Sequence, residues 1–169
     1  SPECTALPLN DDDPRVIVMR TFSKAYGMAG ARIGYAAGET ELIRSFDKIR
    51  NHFGMNRVAQ AGALAALRDR EWLSNVQAQV SASRERIVCI ADENGRAALP
   101  SATNFVAVDC GYDGAFARRL LEALTGRGVF VRMPSVAPLD RCIRISCGRK
   151  EDLDILARIL PQALADIRG

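Results

Sequence analysis

Apolar and polar positions along this chain follow first one period and then another, and the changes of period mark its elements. Val16-Ile17-Val18-Met19 is a short β-branched apolar run, which predicts a buried strand. A second strand is predicted over residues 32–37, ended by Gly38. Thr40 then caps a predicted helix whose Leu42, Ile43, Phe46, Ile49 and Phe53 make one apolar stripe, and Gly54 stops it. The Ala-rich stretch 56–68 predicts another helix, with small faces suited to close packing near a domain junction. A longer helix is predicted over 71–93, where Trp72, Val76, Val80, Ile87 and Ile90 recur close to helical spacing between charges such as Arg84, Glu85 and Arg86.

Asn94-Gly95 ends that helix, and a compact α+β pattern follows. A strand is predicted over 104–109, then a helix with Asp113 as its N-cap and Phe116, Leu120 and Leu124 on one face. Gly126 and Gly128 punctuate before a strand at 129–133, and Pro134 and Pro138 mark a loop before a strand at 142–147. The last helix carries Leu153, Leu156, Leu160, Leu164 and Ile167, with Pro161 expected to kink or split it. Residues 1–15, with Pro2, Pro8, Asn10, three consecutive aspartates and Pro14, read as a surface loop.

The chemistry concentrates in Thr21-Phe22-Ser23-Lys24-Ala25-Tyr26-Gly27-Met28-Ala29-Gly30-Ala31-Arg32-Ile33-Gly34-Tyr35. Lys24 falls just past the end of a predicted strand, where open α/β sheets place their ligands. A partly desolvated pocket near another cation would lower its pKa toward that of a usable nucleophile. Thr21, Ser23 and Arg32 offer hydroxyl donors and a forked guanidinium for a phosphate. An amine beside a phosphate clamp is what pyridoxal phosphate requires. Neither G-x-x-x-x-G-K-[ST] nor G-x-G-x-x-G is present. Strand alternation sets Arg144 and Ser146 opposite Ile143 and Ile145, and a guanidinium in so apolar a strand needs an anionic partner. Pattern alone leaves open an ion pair, an exposed edge or a ligand. Arg132 alternates in the same way within Val129-Phe130-Val131-Arg132.

Composition narrows the classes. The 169 residues are 48% hydrophobic and 25% charged, ordinary for a globular chain, and the net charge of +3 carries no basic run. Neither a nucleic-acid nor a membrane partner is expected, since apolar runs are short and no signal-peptide pattern opens the chain. Cys4, Cys89, Cys110, Cys142 and Cys147 are scattered, with no C-x-x-C pair. They read as reduced thiols of a cytoplasmic protein, not a disulfide framework or metal site. His52, the single histidine, reads as structural or surface.

The lysine stretch closely resembles the active-site segment of fold-type I pyridoxal-phosphate aminotransferases, on the branch of the histidinol-phosphate aminotransferases. Three further stretches resemble that family in the same order: Asn56-Arg57-Val58-Ala59-Gln60-Ala61-Gly62-Ala63-Leu64-Ala65-Ala66-Leu67, Leu99-Pro100-Ser101-Ala102-Thr103-Asn104-Phe105-Val106, and Cys142-Ile143-Arg144-Ile145-Ser146-Cys147-Gly148. The resemblance implies an α/β fold: part of a large domain with a mixed, mostly parallel sheet, and a small α+β C-terminal domain. On that pattern residues 1–70 belong to the cofactor-binding domain, 71–95 form an interdomain helix and 96–169 the small domain. It implies pyridoxal 5'-phosphate held covalently by Lys24, with Thr21, Ser23 and Arg32 on the cofactor phosphate. Arg144 is implied for the substrate carboxylate and Arg132 for the substrate side chain or its phosphate.

It further implies a homodimer acting on an amino acid, or a phosphate ester derived from one, and a 2-oxo acid. Family residues that come before this segment have no counterpart here, so the chain reads as the C-terminal portion of such an enzyme. Two departures stand out: Met133-Pro134-Ser135-Val136-Ala137-Pro138 replaces a glycine-containing loop, and Gly148-Arg149-Lys150 replaces Gly-Thr. The alternatives are a pyridoxal-phosphate-dependent phospho-amino-acid decarboxylase and a non-catalytic, aminotransferase-like effector-binding domain.

Overall fold

The computed structural model describes residues 7–167, without the side chains of Leu7 and Asn10, so Cys4 lies outside the described residues. The chain forms two compact units, Ser1–Gln77 and Ala78–Gly169. The division falls within a 24-residue helix, Arg70–Glu93.

The first unit starts with a short helix, α1 (Leu7–Asp12), where a loop was expected. Asp13 closes it by donating its N–H to Leu9 O at 3.0 Å, and its carboxylate then takes the N–H of Arg15 at 2.9 Å. Strands β1 (Ile17–Thr21) and β2 (Gly34–Gly38) pair antiparallel from Ile17↔Gly38 to Thr21↔Gly34. All strand pairs among the described residues are antiparallel, so the parallel pairing expected of the larger sheet is not among them. Between β1 and β2 the chain turns back through a single 3-10 turn, with no crossover helix to carry it into a parallel register. β1 is also less buried than its apolar run suggests: Val18 is 4% exposed but Met19 is 72% exposed. Gly34 is required where it stands, because a Cβ there would lie 2.5 Å from the Arg20 carbonyl oxygen.

Helix α2 (Thr40–Arg44) is capped by Glu39, not Thr40: the Glu39 carboxylate accepts from the N–H groups of Glu41 at 2.7 Å and Leu42 at 3.1 Å. It tightens into a 3-10 turn over Ser45–Lys48 and does not run on to Phe53. Local side chains compete with the helix there: Ser45 Oγ donates to Leu42 O at 2.6 Å, and Asn51 Oδ1 takes the N–H of Phe53 at 2.9 Å. Ile49 and Phe53 consequently lie exposed. Helix α3 (Arg57–Arg68) is capped by Asn56, whose Oδ1 accepts from Ala59 N at 2.7 Å. Asp69 separates α3 from α4 (Arg70–Glu93), ending the first with its own N–H and opening the second by accepting from Trp72 N at 2.9 Å.

The second unit is built on a three-stranded antiparallel sheet in the order β3-β4-β5: β3 (Ala97–Ala98), β4 (Phe105–Asp109) and β5 (Cys142–Ser146). Helices α5 (Gly114–Gly126) and α6 (Lys150–Asp166) contribute Leu120, Leu124, Leu156 and Leu160 to its core, and Val106, Val108, Ile143 and Ile145 come from one sheet face. Ile87, Ile90 and Ala91 complete it from the C-terminal half of α4. Two helix ends are closed by glycines with positive φ. Gly95 N bonds Asp92 O and Arg96 N bonds Ala91 O, while Gly128 N bonds Thr125 O and Val129 N bonds Leu124 O, the paired bonds of a Schellman cap. Cys110 sits in this core, and burial pushes its thiol up to about 11.

Two expectations fail here for local reasons. Residues 129–133 form no strand: Val129 spends its N–H on the cap of α5 and Pro134 has none, so only Arg132 pairs with β5. α6 runs unbroken through Pro161, which is solvent-exposed, so the ring displaces no packed neighbour. Asp113 caps α5 as the pattern predicted, accepting from Phe116 N at 2.9 Å. Asp113→Ala is expected to cost about 1 kcal/mol, read as a lower denaturant midpoint at an unchanged slope.

Candidate active site

The loop between β1 and β2 is fastened at both ends so that its middle projects. Phe22 (2% exposed) and Ile33 pack with Ala59 and Ala63 of α3, flanked by Tyr26, Met28, Ala31 and Ala66. The small side chains of α3 are what allow this approach. Phe22 N bonds Ile33 O at 3.2 Å and Met28 N bonds Phe22 O at 2.9 Å, closing the loop's base. Within it, Gly27 N returns to Lys24 O at 2.9 Å, a turn that places Gly27 at φ 67°. Lys24 is therefore the first residue of a tight turn immediately beyond a buried aromatic anchor.

The expected desolvation of Lys24 is absent from this chain: its side chain is exposed, because the turn carries it outward from the Phe22 cluster. No ion pair or hydrogen bond engages its amine among the described residues. Ser23 and Arg32 are brought together, with Arg32 Nη1 3.5 Å from Ser23 Oγ and 2.9 Å from Ala29 O. Thr21 takes a different part. Its Oγ1 accepts from Ser23 N at 3.1 Å and so shapes the entry to the turn.

Arg32 ends the 3-10 turn Ala29–Ala31 in the left-handed region, at φ 52° and ψ 50°. A side-chain-bearing residue there costs of order 1 kcal/mol, and such strain gathers at functional sites. Its guanidinium meets neutral acceptors only, with no carboxylate partner among the described residues, so its charge is left for an external anion. A hydroxyl and an uncompensated guanidinium beside a free amine form a donor set that fits a phosphate ester with a reactive carbonyl.

In the second unit Arg132 and Arg144 exchange both main-chain hydrogen bonds, Arg144 N to Arg132 O at 2.6 Å and Arg132 N to Arg144 O at 3.0 Å. Directly opposed residues present their side chains on one face of a sheet. That face is the one opposite Ile143 and Ile145. Neither guanidinium has a carboxylate partner among the described residues. Arg144 instead lies over the ring of Phe105, 4.8 Å from its centroid. Sequence reasoning did not single out Phe105, because the contact depends on the cross-strand register Phe105↔Ser146 and Ala107↔Arg144, which a single strand's pattern does not contain.

A lysine-bearing turn after a β-strand is thus followed along the chain by a small antiparallel α+β unit with a paired-arginine face. The chain belongs to the aminotransferase class I and II family, whose model matches residues 2–160. It is 36% identical over 148 residues to a histidinol-phosphate aminotransferase of Geobacillus thermodenitrificans, covering 88% of this chain and 40% of that protein. With histidinol-phosphate aminotransferase 2 of Thiobacillus denitrificans the identity is 37% over 162 residues, 92% of this chain and 44% of that protein. Among solved structures, the histidinol-phosphate aminotransferase of Sinorhizobium meliloti in complex with pyridoxal-5'-phosphate superposes with a TM-score of 0.87 at 53% identity, over 92% of this chain and 43% of that one. The chain thus spans about 40% of the length of the curated relatives it matches. Among the described residues no helix is long and apolar enough to cross a membrane.

Proposed function

We propose that this chain serves an aminotransferase that uses pyridoxal 5'-phosphate to move an amino group between an amino acid, or a phosphate ester derived from one, and a 2-oxo acid. The observation that carries the reading is the exposed Lys24 amine on the turn beside the Ser23–Arg32 pair, whose cation has no carboxylate partner among the described residues.

Arg32 donates to the cofactor phosphate with its fork, and Ser23 adds a hydroxyl donor. Thr21 holds the Ser23 main chain so that hydroxyl and guanidinium face one another, and its own hydroxyl hydrogen remains to donate. The cofactor, when bound, supplies an electron sink for the substrate's α-carbon. Lys24 holds the cofactor through its Nζ. Once released from that bond, Nζ would be the base that takes the substrate α-proton and the acid that gives a proton back to complete the transfer. Arg144 receives the substrate α-carboxylate bidentately, and Arg132, bridged to it, receives a second anionic group.

Residues 1–70 are read as part of the cofactor-binding large domain, 71–95 as the interdomain helix and 96–169 as the small C-terminal domain. A homodimer accords with the largely exposed Ile49, Phe53 and Val58 of the first unit, surface of a kind that association covers. The four described cysteines are all free, which accords with a reducing, cytoplasmic setting.

The intact protein, given pyridoxal 5'-phosphate, an amino donor and a 2-oxo acid acceptor, is expected to form the donor's oxo product and the acceptor's amino acid in equal amounts. Release of carbon dioxide in its place overturns the reading. Arg32→Gln is expected to weaken retention of the cofactor about 10- to 150-fold, from the loss of a hydrogen bond to a charged group, measured by fluorescence titration. Unchanged retention removes Arg32 from the phosphate.

A further inference from the structure

The Arg144 guanidinium is oriented by a ring where a carboxylate would be usual. Cation and ring are each half-buried, with Arg144 Cζ 4.8 Å from the Phe105 centroid. The ring itself is fixed by its main chain. Ser101 Oγ donates to the Phe105 carbonyl at 2.6 Å and Thr103 Oγ1 at 3.2 Å, and Thr103 Oγ1 also takes the Phe105 N–H at 3.4 Å. On the preceding residue, Asn104 O accepts from Cys147 N at 2.9 Å, and Arg84 Nη1 ties down Thr103 O at 3.0 Å. Hydrogen bonds from Ser101, Arg84 and Cys147 therefore converge on residues 103–105 and hold the ring at the start of β4.

The choice of partner has a chemical consequence. A carboxylate beside Arg144 would hold the guanidinium in place but occupy its N–H fork and cancel its charge. A ring attracts the same cation through its face, leaves the N–H edge uncommitted and contributes no negative charge. Resting on the reading of Arg144 as the group that receives the substrate carboxylate, we infer that Phe105 is a positioning residue for that carboxylate. It holds the Arg144 guanidinium over its ring before substrate arrives, so that binding pays less to order the side chain.

The test is made in the intact holoenzyme, with succinate as a simple carboxylate probe in equilibrium titration and steady-state kinetics alongside. Phe105→Leu is expected to weaken succinate binding about 5- to 30-fold and raise KM for the carboxylate substrate in step, with kcat held within about twofold. Phe105→Tyr, which keeps the ring face, is expected to stay within about twofold of the parent. Should Phe105→Leu fail to fold, Phe105→Met takes its place, with the same losses expected.

Arg144→Gln separates the two levels of the claim. If Arg144→Gln loses succinate while the ring-less variant binds as the parent does, Arg144 keeps its role and the positioning role of Phe105 is overturned. Equal weakening by Phe105→Leu and Phe105→Tyr overturns it too, since the ring face is then not what matters. Should Arg144→Gln bind succinate unchanged, the carboxylate reading of Arg144 falls and the role of Phe105 with it.

Discussion

Lys24→Ala is expected to leave the intact enzyme without covalently held cofactor and to lower the transamination rate by at least about 10²- to 10⁴-fold, the range that one positioned proton carrier supplies. Two losses coincide at one atom, the attachment and the proton transfer, so added free amine should restore part of the second without the first. The direct measurement is borohydride reduction followed by mass spectrometry: the parent retains the cofactor on the peptide containing Lys24, and the variant does not. A variant that still retains it there would place the attachment elsewhere. The substitution should barely disturb the fold. Lys24 is exposed and its turn is held by main-chain bonds and by Phe22, none of which involves the lysine side chain.

The second large effect is on stability. Leu120 is 1% exposed, on the face of α5 turned to the sheet. Leu120→Ala removes the contacts of a buried leucine and leaves a space that the neighbouring Leu124, Ile143 and Leu160 fill only in part. The expected cost is about 2–5 kcal/mol, read from denaturant unfolding of the second unit. An effect below ~1 kcal/mol would mean that this core collapses more easily than its packing suggests. The first unit buries a smaller set among the described residues, Val18, Phe22, Ile33, Ala59 and Ala63, two of them alanines.

Most of the second unit was legible in the sequence because each of its signals is local. Asp113, Gly95 and Gly128 punctuate helices through hydrogen bonds spanning a few residues, and the alternation of 142–146 separates Ile143 and Ile145 from Arg144 within one strand. What was not legible depends on choices between neighbours. Glu39 rather than Thr40 caps α2 because its longer side chain reaches two N–H groups. The apolar stripe of 42–53 gave no warning that Ser45 and Asn51 would bond locally and end the helix.

The same division holds in the candidate site. Residue chemistry put Ser23 and Arg32 in one phosphate-binding group, and the main-chain turn explains how side chains nine residues apart come within 3.5 Å of each other. The exposure of Lys24 was missed because an apolar strand before a lysine says nothing about what covers the turn after it. Arg132 was placed on a strand that does not form. Its single bridge to Arg144 still puts the two arginines side by side.

That bridge has a consequence for how such a protein diverges. Both of its hydrogen bonds run between main-chain atoms, so they survive any replacement at position 132 except proline, which has no N–H to give. Arg144 and its aromatic seat stay where they are while the neighbouring side chain changes length, charge or shape. Position 132 is in effect a socket: the fold fixes where a second recognition group begins and leaves open which one is plugged in.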